Sequence, residues 1–534
     1  MPISPTYPGV YIDELTSSVH TITGVPTSVA AFVGAASRGP TNAPVHCGSF
    51  GDFQRTFGDV SSDSPLSYAV YQFYLNGGSD AEVVRLAHSD AVSATLDLGD
   101  GVTLVAIGPG TWGDLLLARV DYQTASGPPT GGAAATSYNL SVMDTSTGVL
   151  ESYLNISTTP SNSQSLDKML SSSSLVTLPA EGAVLNVAPP ANAAIDPGDP
   201  DQNPFSSAHT DRYTQAEGGE PGSALALADY EGSQADKTGI YQLYKTDIFN
   251  LLCLPGAPSD VLTAAATLCV ERRAILLVDP PNDSNPAWSS VANVVSVMTG
   301  TNPPVSSAVA ANAAVYFPNV QIADPSQNGI TITVPPCGTV AGIAARTDVS
   351  RGVWKAPAGT DASLNGVIGL ATGLNGSGTP LTMTDNDNGL LNPLGVNCLR
   401  SFPVVGPVVW GARTLLGADR FANQWKYLPI RRLALFIEES LYRGTQWVVF
   451  EPNDEPLWAS IRMNVTTFMN TLFSQQAFQG STASQAYLVK CDQENNPQSD
   501  IDRGIVNILV GFAPLKPAEF VIIQIQQLAG QLQS

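Results

Sequence analysis

Residues 238–281 read TGIYQLYKTDIFNLLCLPGAPSDVLTAAATLCVERRAILLVDPP, and their alternation sets the expected fold. Thr238 to Tyr244 has helical spacing, and Ile248 to Leu254 is a continuous apolar strand. Asp260 caps a helix that runs through Arg272, and Ala274 to Val278 is a second apolar strand. Strands that are apolar at every position are buried on both faces, as in a parallel sheet covered by helices. The rhythm extends both ways. Upstream, Val29 to Val33 reads as a buried strand, Pro65 to Leu75 as an aromatic-rich helix closed by Gly77 and Gly78, and Glu82 to Ala87 as the next strand. Downstream of Asp279-Pro280-Pro281, a helix is expected from Pro286 to Met298 and a strand from Ala313 to Phe317.

Between Gly101 and Tyr213 the pattern changes to short alternating strands, such as Leu115 to Tyr122 and Tyr138 to Met143, separated by Gly, Pro and Ser clusters. This stretch reads as a β-rich domain inserted into the α/β core. Near the C-terminus Pro429 opens a helix that ends before Gly444, with Ile430, Leu433, Ile437 and Leu441 on one face. A second helix starts at Asp454 and Pro456 and buries Leu457, Ile461, Val465, Phe468 and Leu472; strands follow at Ala486 to Lys490 and Ile505 to Phe512. The expected class is therefore α/β: a largely parallel core over 25–100 and 217–345, an inserted β-rich domain over 101–216, a connecting segment over 346–399, an α+β domain over 400–517, and extended β arms at 1–24 and 518–534.

Each arm carries a β-prone strand on a tether. Val10 to Glu14, including Tyr11, Ile12 and Asp13, is joined to the core by the Thr/Ser-rich stretch Thr16 to Thr23. FVIIQIQ (Phe520, Val521, Ile522, Ile523, Gln524, Ile525, Gln526) follows the linker Pro514 to Pro517. Such a strand is a liability in a monomer, because its unpaired backbone invites another chain. In a polymer the same strand can complete a neighbour's sheet. Folding back onto the chain's own sheet is the alternative.

Charged residues make up only 13% of the chain, about half the usual share, which suggests that neighbouring subunits cover much of the surface. The net charge of −22 argues against binding a nucleic-acid backbone. Its distribution is uneven: Met1 to Leu399 holds 13 basic and 35 acidic side chains, Arg400 to Ser534 holds 11 of each. Within Arg413 to Arg443, six basic residues (Arg413, Arg420, Lys426, Arg431, Arg432, Arg443) face only Asp419, Glu438 and Glu439. This is either a strip that meets an acidic partner or a solvated helix face. The six cysteines are scattered without a CxxC pair, as for free buried thiols in a reducing cytoplasm. The N-terminus shows neither a basic n-region nor an apolar run, and no stretch has the ~20 apolar residues of a membrane span, so no signal peptide and no membrane insertion are expected.

Enzyme-like motifs lack their context. GPGTWG (Gly108, Gly110, Gly113) is a literal GxGxxG, but Leu115 to Tyr122 alternates like a strand where a dinucleotide site needs a helix, so a turn is expected. ILLVD (Ile275 to Asp279) has no phosphate-binding loop to accompany it. DNDNG (Asp385 to Gly389) has its glycine one place early for a calcium loop and reads as a turn. His20, His46, His88 and His209 show no metal-ligand spacing, and His46 and Cys47 are adjacent residues that point apart. No cofactor and no general acid/base pair is expected.

Val334 to Pro357, VPPCGTVAGIAARTDVSRGVWKAP, combines glycines, prolines and the charge set Arg346, Asp348 and Arg351 around Trp354, and is expected to be a fixed surface loop with ion pairing. The segment resembles the signature block of contractile tail sheath proteins, found in bacteriophage tails and phage-tail-like injection particles. PTYPGVYIDEL (5–15) with ITGVPTSVAAFVGAASRGP (22–40) is similar to a sheath N-terminal arm and first core strand. GPVVWGARTLLG (406–417) and IRRLALFIEESLYRGTQWVVFEPNDEPLW (430–458) are similar to the sheath domain that lies against the inner tube. The resemblance is weak over about 90–216, and nothing functional is carried over there. It implies a structural subunit with no enzymatic activity that stacks as rings around an inner tail tube and contracts without a nucleotide. Its implied partners are itself, the tube protein, and baseplate and terminator or cap proteins, with assembly in the bacterial cytoplasm. It further implies terminal arms that knit subunits together and a tube-facing set at Arg431, Arg432, Glu438, Glu439 and Arg443. The alternative is an α/β enzyme or carbohydrate-binding protein with a cleft near Asp279 and Asp324.

Overall fold

The computed structural model describes residues 20–41, 43–125, 127–128, 134–281, 283, 287–300, 303–374 and 378–524. The chain forms two compact units, one comprising Ser28–Val349 and Pro357–Lys426, the other Met1–Thr27, Ser350–Ala356 and Tyr427–Ser534.

The first unit is built on an eight-stranded sheet. Its strands are β1 (Ala30–Ala35), β2 (Val45–Cys47), β3 (Ala81–Leu86), β4 (Leu251–Cys253), β5 (Ile275–Val278), β6 (Ala313–Phe317), β7 (Val396–Phe402) and β8 (Gly406–Val409), in the order β8-β7-β6-β5-β4-β1-β3-β2. The six inner strands pair in parallel, and β2 and β8 close the edges in antiparallel sense. All four residues of β5 and all five of β6 are buried, which is why they read as unbroken apolar runs. β1 pairs with β3 on one side and β4 on the other, so the winding reverses between β1 and β4.

Several boundaries differ from the sequence expectation. The sheet takes in β7 and β8, so the chain over 396–409 completes the α/β core rather than opening a C-terminal domain at 400. Periodicity shows that a strand exists; it does not say which sheet receives it. Gly239–Lys245 is a 3-10 rather than an α-helix, entered from Gly239 at φ +59°. The helix expected from Pro286 begins at Val291, where the Ser290 side chain accepts from Asn293 N.

The largest correction concerns Val334 to Pro357. The expected loop is a 15-residue helix. We label α1 Pro65–Leu75 and α2 Cys337–Arg351. Gly338 and Gly342 are one turn apart on the face of α2 that meets α1. A Cβ on Gly338 would lie 2.1 Å from the Ala69 carbonyl oxygen, and one on Gly342 2.5 Å from that of Phe73. The glycines that suggested a loop are needed for close helix packing.

The inserted region carries its own buried cluster, including Leu104, Leu116, Tyr138, Leu140 and Val142. A four-stranded antiparallel sheet (Thr214–Gln215, Leu116–Asp121, Ser137–Asp144, Leu150–Ser157) and a three-stranded one (Thr95–Asp97, Thr103–Ala106, Val176–Thr177) enclose it. Isolated bridges Val92↔Glu220 and Thr95↔Glu217 join its entering and leaving chains, so it begins nearer 92 than 101. Two buried arginines seat it on the core. Arg38 Nη1 donates to Asp144 Oδ2 at 2.5 Å, and Asp144 is fully buried. Arg85 donates to the carbonyls of Ala36, Gly39 and Pro109 at 2.9, 2.6 and 2.7 Å.

In the second unit α3 (Leu428–Gly444) and α4 (Glu455–Ser474) pack through the expected stripes. Leu433, Ile437, Leu457, Ile461, Val465, Phe468 and Leu472 share one core with Ile22 and Val353. β9 (Tyr487–Lys490) and β10 (Leu509–Phe512) pair antiparallel.

Because nothing flexible can yield at Ala69 and Phe73, Gly338→Ala and Gly342→Ala should each lower the stability of the first unit by about 2–3 kcal/mol. Gly389→Ala, with open space around it, should change it by less than about 1 kcal/mol. Urea-unfolding midpoints of the three variants check this.

Candidate functional site

In open α/β sheets, ligands bind beyond the carboxyl ends of the strands near the point where the strand order reverses. Here the carboxylates at those ends are already engaged. Asp279 follows β5 directly, and its Oδ1 accepts from Cys337 N, the first amide of α2, at 2.8 Å. The residue as a whole keeps some exposure, yet its Oδ2 is shut off from solvent and meets no hydrogen-bond donor among the described residues. Burial raises the Asp279 carboxyl from its ordinary value to about 7, with the bonds from Cys337 working against the rise. Asp324 is fully buried and accepts from Tyr68 Oη at 2.8 Å and Ser326 Oγ at 2.7 Å. Burial would raise its carboxyl, but the bonds from Ser326 and Tyr68 outweigh that and hold it below its usual range. Both carboxylates serve local structure where the enzyme reading needs them free.

The remaining motifs resolve into structure. Burial pushes the Cys337 thiol well above its usual value and Cys47 up to about 12, so neither is a ready thiolate. All six cysteines are free and buried. The His46 ring faces Glu82 Oε1 at 3.2 Å while Cys47 is buried, as adjacent strand residues require. In GPGTWG a Cβ on Gly108 would come within 2.0 Å of the Gly39 carbonyl oxygen, and a short 3-10 turn, Thr111–Leu115, follows. The glycines let the insert close on the core. DNDNG opens a helix, Asp385–Leu391, rather than a turn: Thr384 and Asp387 cap each other's backbone amides.

The basic strip does not face outward as a set. In the first unit Arg413 is fully buried and, with Lys426, bonds Asp419. In the second, Arg431 pairs with Glu438 at 3.3 Å and Arg443 with Glu439 at 2.7 Å. Arg432 is 4% exposed and donates to the Thr27 carbonyl at 3.0 Å, so this member of the expected tube-facing set lies inside the unit. Of the signature residues, Arg346 donates to the Ser363 carbonyl at 2.8 Å and Asp348 is half-buried. Arg351 is exposed, and Trp354 packs on the core of the second unit with its ring over Gly352 at φ +91°.

The exposed apolar groups of the second unit include its strands and tail, besides Tyr442, Val449, Phe450 and Met463. Phe520, Val521, Ile522 and Ile523 are 75–83% exposed and form no ladder. Val10, Tyr11, Ile12, Asp13 and Ile525 lie outside the described residues. In the β9/β10 pair, Leu488 and Leu509 are more than half exposed. The bond from Ala513 N to Ala486 O sets the alternation of the ladder. Val489 on β9, and Val510 and Phe512 on β10, therefore turn their N–H and C=O groups away from the partner strand. The sequence marks the β propensity of this tail but not the two-stranded pair β9/β10, because a strand's sequence does not say how many neighbours it has.

Comparison with known proteins follows the same lines. Residues 238–415 match the family described as phage tail sheath protein central domain, and residues 422–527 the family described as phage tail sheath C-terminal domain. Together these span just over half of the chain. A tail sheath protein of Vibrio phage KVP40 is 25% identical over 292 residues, which is 51% of this chain and 41% of that relative's length. Three solved structures share the fold. The anti-feeding prophage helical sheath in its contracted state is 22% identical, with TM-score 0.55, covering 98% of this chain and 100% of that one. A sheath complex of an extracellular contractile injection system, also contracted, is 22% identical with TM-score 0.53 and 99% coverage of both chains. A sheath tail protein from Listeria innocua is 12% identical with TM-score 0.55, covering 92% and 96%. Among the described residues no helix is long and apolar enough to cross a membrane.

Asp279 gives the pH dependence a definite sign. Its carboxyl is raised in the folded chain, so the folded state holds a proton that the unfolded state releases; stability therefore falls from about pH 4 to about 7 and then levels. Asp279→Asn keeps the acceptor for Cys337 and removes the titration. Its urea midpoint should gain on the wild type as pH rises from 5 to 8, by up to about 1.4 kcal/mol per pH unit below pH 7.

Proposed function

Because the chain belongs to the phage tail sheath family, we propose that it is the structural subunit of a contractile tail sheath, polymerising as stacked rings around an inner tube and contracting to drive that tube through a target envelope. The observation that supports this reading is that one unit holds both an exposed β-prone tail, Phe520–Ile523, which forms no ladder, and the two-stranded pair β9/β10, in which Val489 and Val510 turn their backbone groups away from the partner strand. Two-stranded pairs are marginal alone and gain from a third strand. The tail of one copy, and the segment containing Val10, Tyr11, Ile12 and Asp13 of another, supply that strand by β-augmentation.

The interface is heterologous and propagates helically, so small differences between two packings are multiplied over many copies. No nucleotide enters the cycle. The inner tube protein, baseplate and terminator proteins are the further partners, and assembly takes place in the bacterial cytoplasm before the particle is released. Arg431, Glu438, Glu439 and Arg443 remain the set offered to the tube, as two internal ion pairs. Arg346, Asp348, Arg351 and Trp354 hold the end of α2 and the segment after it.

The chain expressed alone should form hollow, striated cylinders in negative-stain micrographs. Truncation after Pro517 should leave a folded subunit with an unchanged circular-dichroism spectrum that sediments as a monomer. Cylinders formed by the truncated chain would remove the tail from assembly, and discrete small oligomers of the full chain would remove the sheath reading.

A further inference from the structure

We propose, resting on the reading as a polymerising subunit, that one stripe of α3 anchors the N-terminal segment, so that a pull exerted on this segment by a second copy of the chain enters the subunit through α3. Residues 20–27 have no regular backbone structure and run along α3 in the opposite direction. The contacts descend the segment as α3 ascends, except that the neighbours Gly24 and Val25 meet Phe436 and Ser440 in exchanged order. The Thr27 carbonyl accepts from Arg432 Nη2 at 3.0 Å. Gly24 lies against the Phe436 ring, where a Cβ would come within 2.9 Å. Val25 N donates to Ser440 Oγ at 3.2 Å. Ile22 rests on Gly444, where a Cβ would meet it at 2.6 Å. His20 stacks on Trp447, with ring centroids 4.1 Å apart and planes 17° from parallel.

The α3 partners recur every four residues from 432 to 444, which is one face of a helix, and Trp447 continues it. The lengths agree. Seven extended steps cover at most about 23 Å, and the twelve helical steps from 432 to 444 about 18 Å, with Trp447 in the 3-10 turn beyond the end of α3. Two members of the stripe are buried, Arg432 at 4% exposed and Ser440 at 0%, Phe436, Gly444 and Trp447 are half-buried, and Ile22 on the segment is 7% exposed. An arginine held inside to bond a loop carbonyl, and glycines at the positions of closest approach, are the features of a seat built for this segment. Residues 20–27 are then the part that holds when the segment is pulled.

The full-length chain tests this with two readouts, hydrogen exchange over residues 20–27 and polymer yield by sedimentation and electron microscopy. Gly444→Val, which removes the seat of Ile22, should speed exchange at the Val25 amide by about ten-fold. It should leave the unfolding midpoint of the first unit unchanged and suppress polymer. The double variant His20→Ala, Trp447→Ala loosens only the exposed end of the strap and carries the test if Gly444→Val does not fold. Faster exchange with wild-type polymer yield overturns the proposal, as does unchanged exchange in both variants. If the wild-type chain forms no polymer in parallel, the sheath reading fails, and the exchange comparison still decides whether the anchor exists.

Discussion

Two backbones meet where α2 lies on α1, and the arrangement of the first unit depends on that contact. With hydrogen at Gly338 and Gly342, α2 approaches the Ala69 and Phe73 carbonyls more closely than any side chain would permit. That approach fixes where α2 begins. Its first amide meets the Asp279 carboxylate at the end of β5, in the region where proteins of this architecture hold a ligand. The same constraint thus packs two helices and commits the carboxylate that the enzyme reading required. Asp279 is left with one bonded oxygen and one isolated from water, an arrangement that costs stability at neutral pH.

Arginine explains much of the low surface charge. Arg38, Arg85, Arg119, Arg212, Arg400, Arg413 and Arg432 are each 8% exposed or less. Most of them donate to loop carbonyls: Arg85 to three, Arg119 to Ala193 and Arg212, Arg212 to Asp201, and Arg413 to Asn392. A planar fork of five donors suits this task, since it ties irregular backbone that no ladder can satisfy. Seven of the 24 basic side chains are therefore internal, against two buried aspartates, Asp144 and Asp324, and the surface is more acidic than a net charge of −22 alone conveys.

The α/β rhythm was legible because its strands are buried on both faces and its helices start at clear caps; Pro65–Leu75 and Ala313–Phe317 fall where periodicity places them. The two C-terminal helices were legible through their stripes. The signature segment was not, because Gly338, Gly342 and Pro336 carry the same local signal whether they open a loop or allow close helix packing. Only the presence of Ala69 opposite decides between them. The basic strip misled for a related reason: a charge count along the chain cannot show that Arg432 turns inward to Thr27 or that Glu438 and Glu439 each hold an arginine. The β propensity of Phe520–Ile523 is plain in the sequence, whereas the β9/β10 pair is a matter of sheet edges, which sequence does not record.

The inserted domain enters and leaves the core through two adjacent strands bridged at Val92↔Glu220 and Thr95↔Glu217. Paired residues of this kind sit about 5 Å apart, so the core sees the insert as a short closed hairpin whatever its length. The length of the excursion is thereby uncoupled from the sheet, but its seating is not. Asp144 and Arg38 depend on each other, because either charge left buried without the other is a lasting penalty. Arg85 on the Pro109 carbonyl and the bare backbone at Gly108 are further keys of the same socket, so a change of insert that keeps these few contacts leaves the strands of the core where they are.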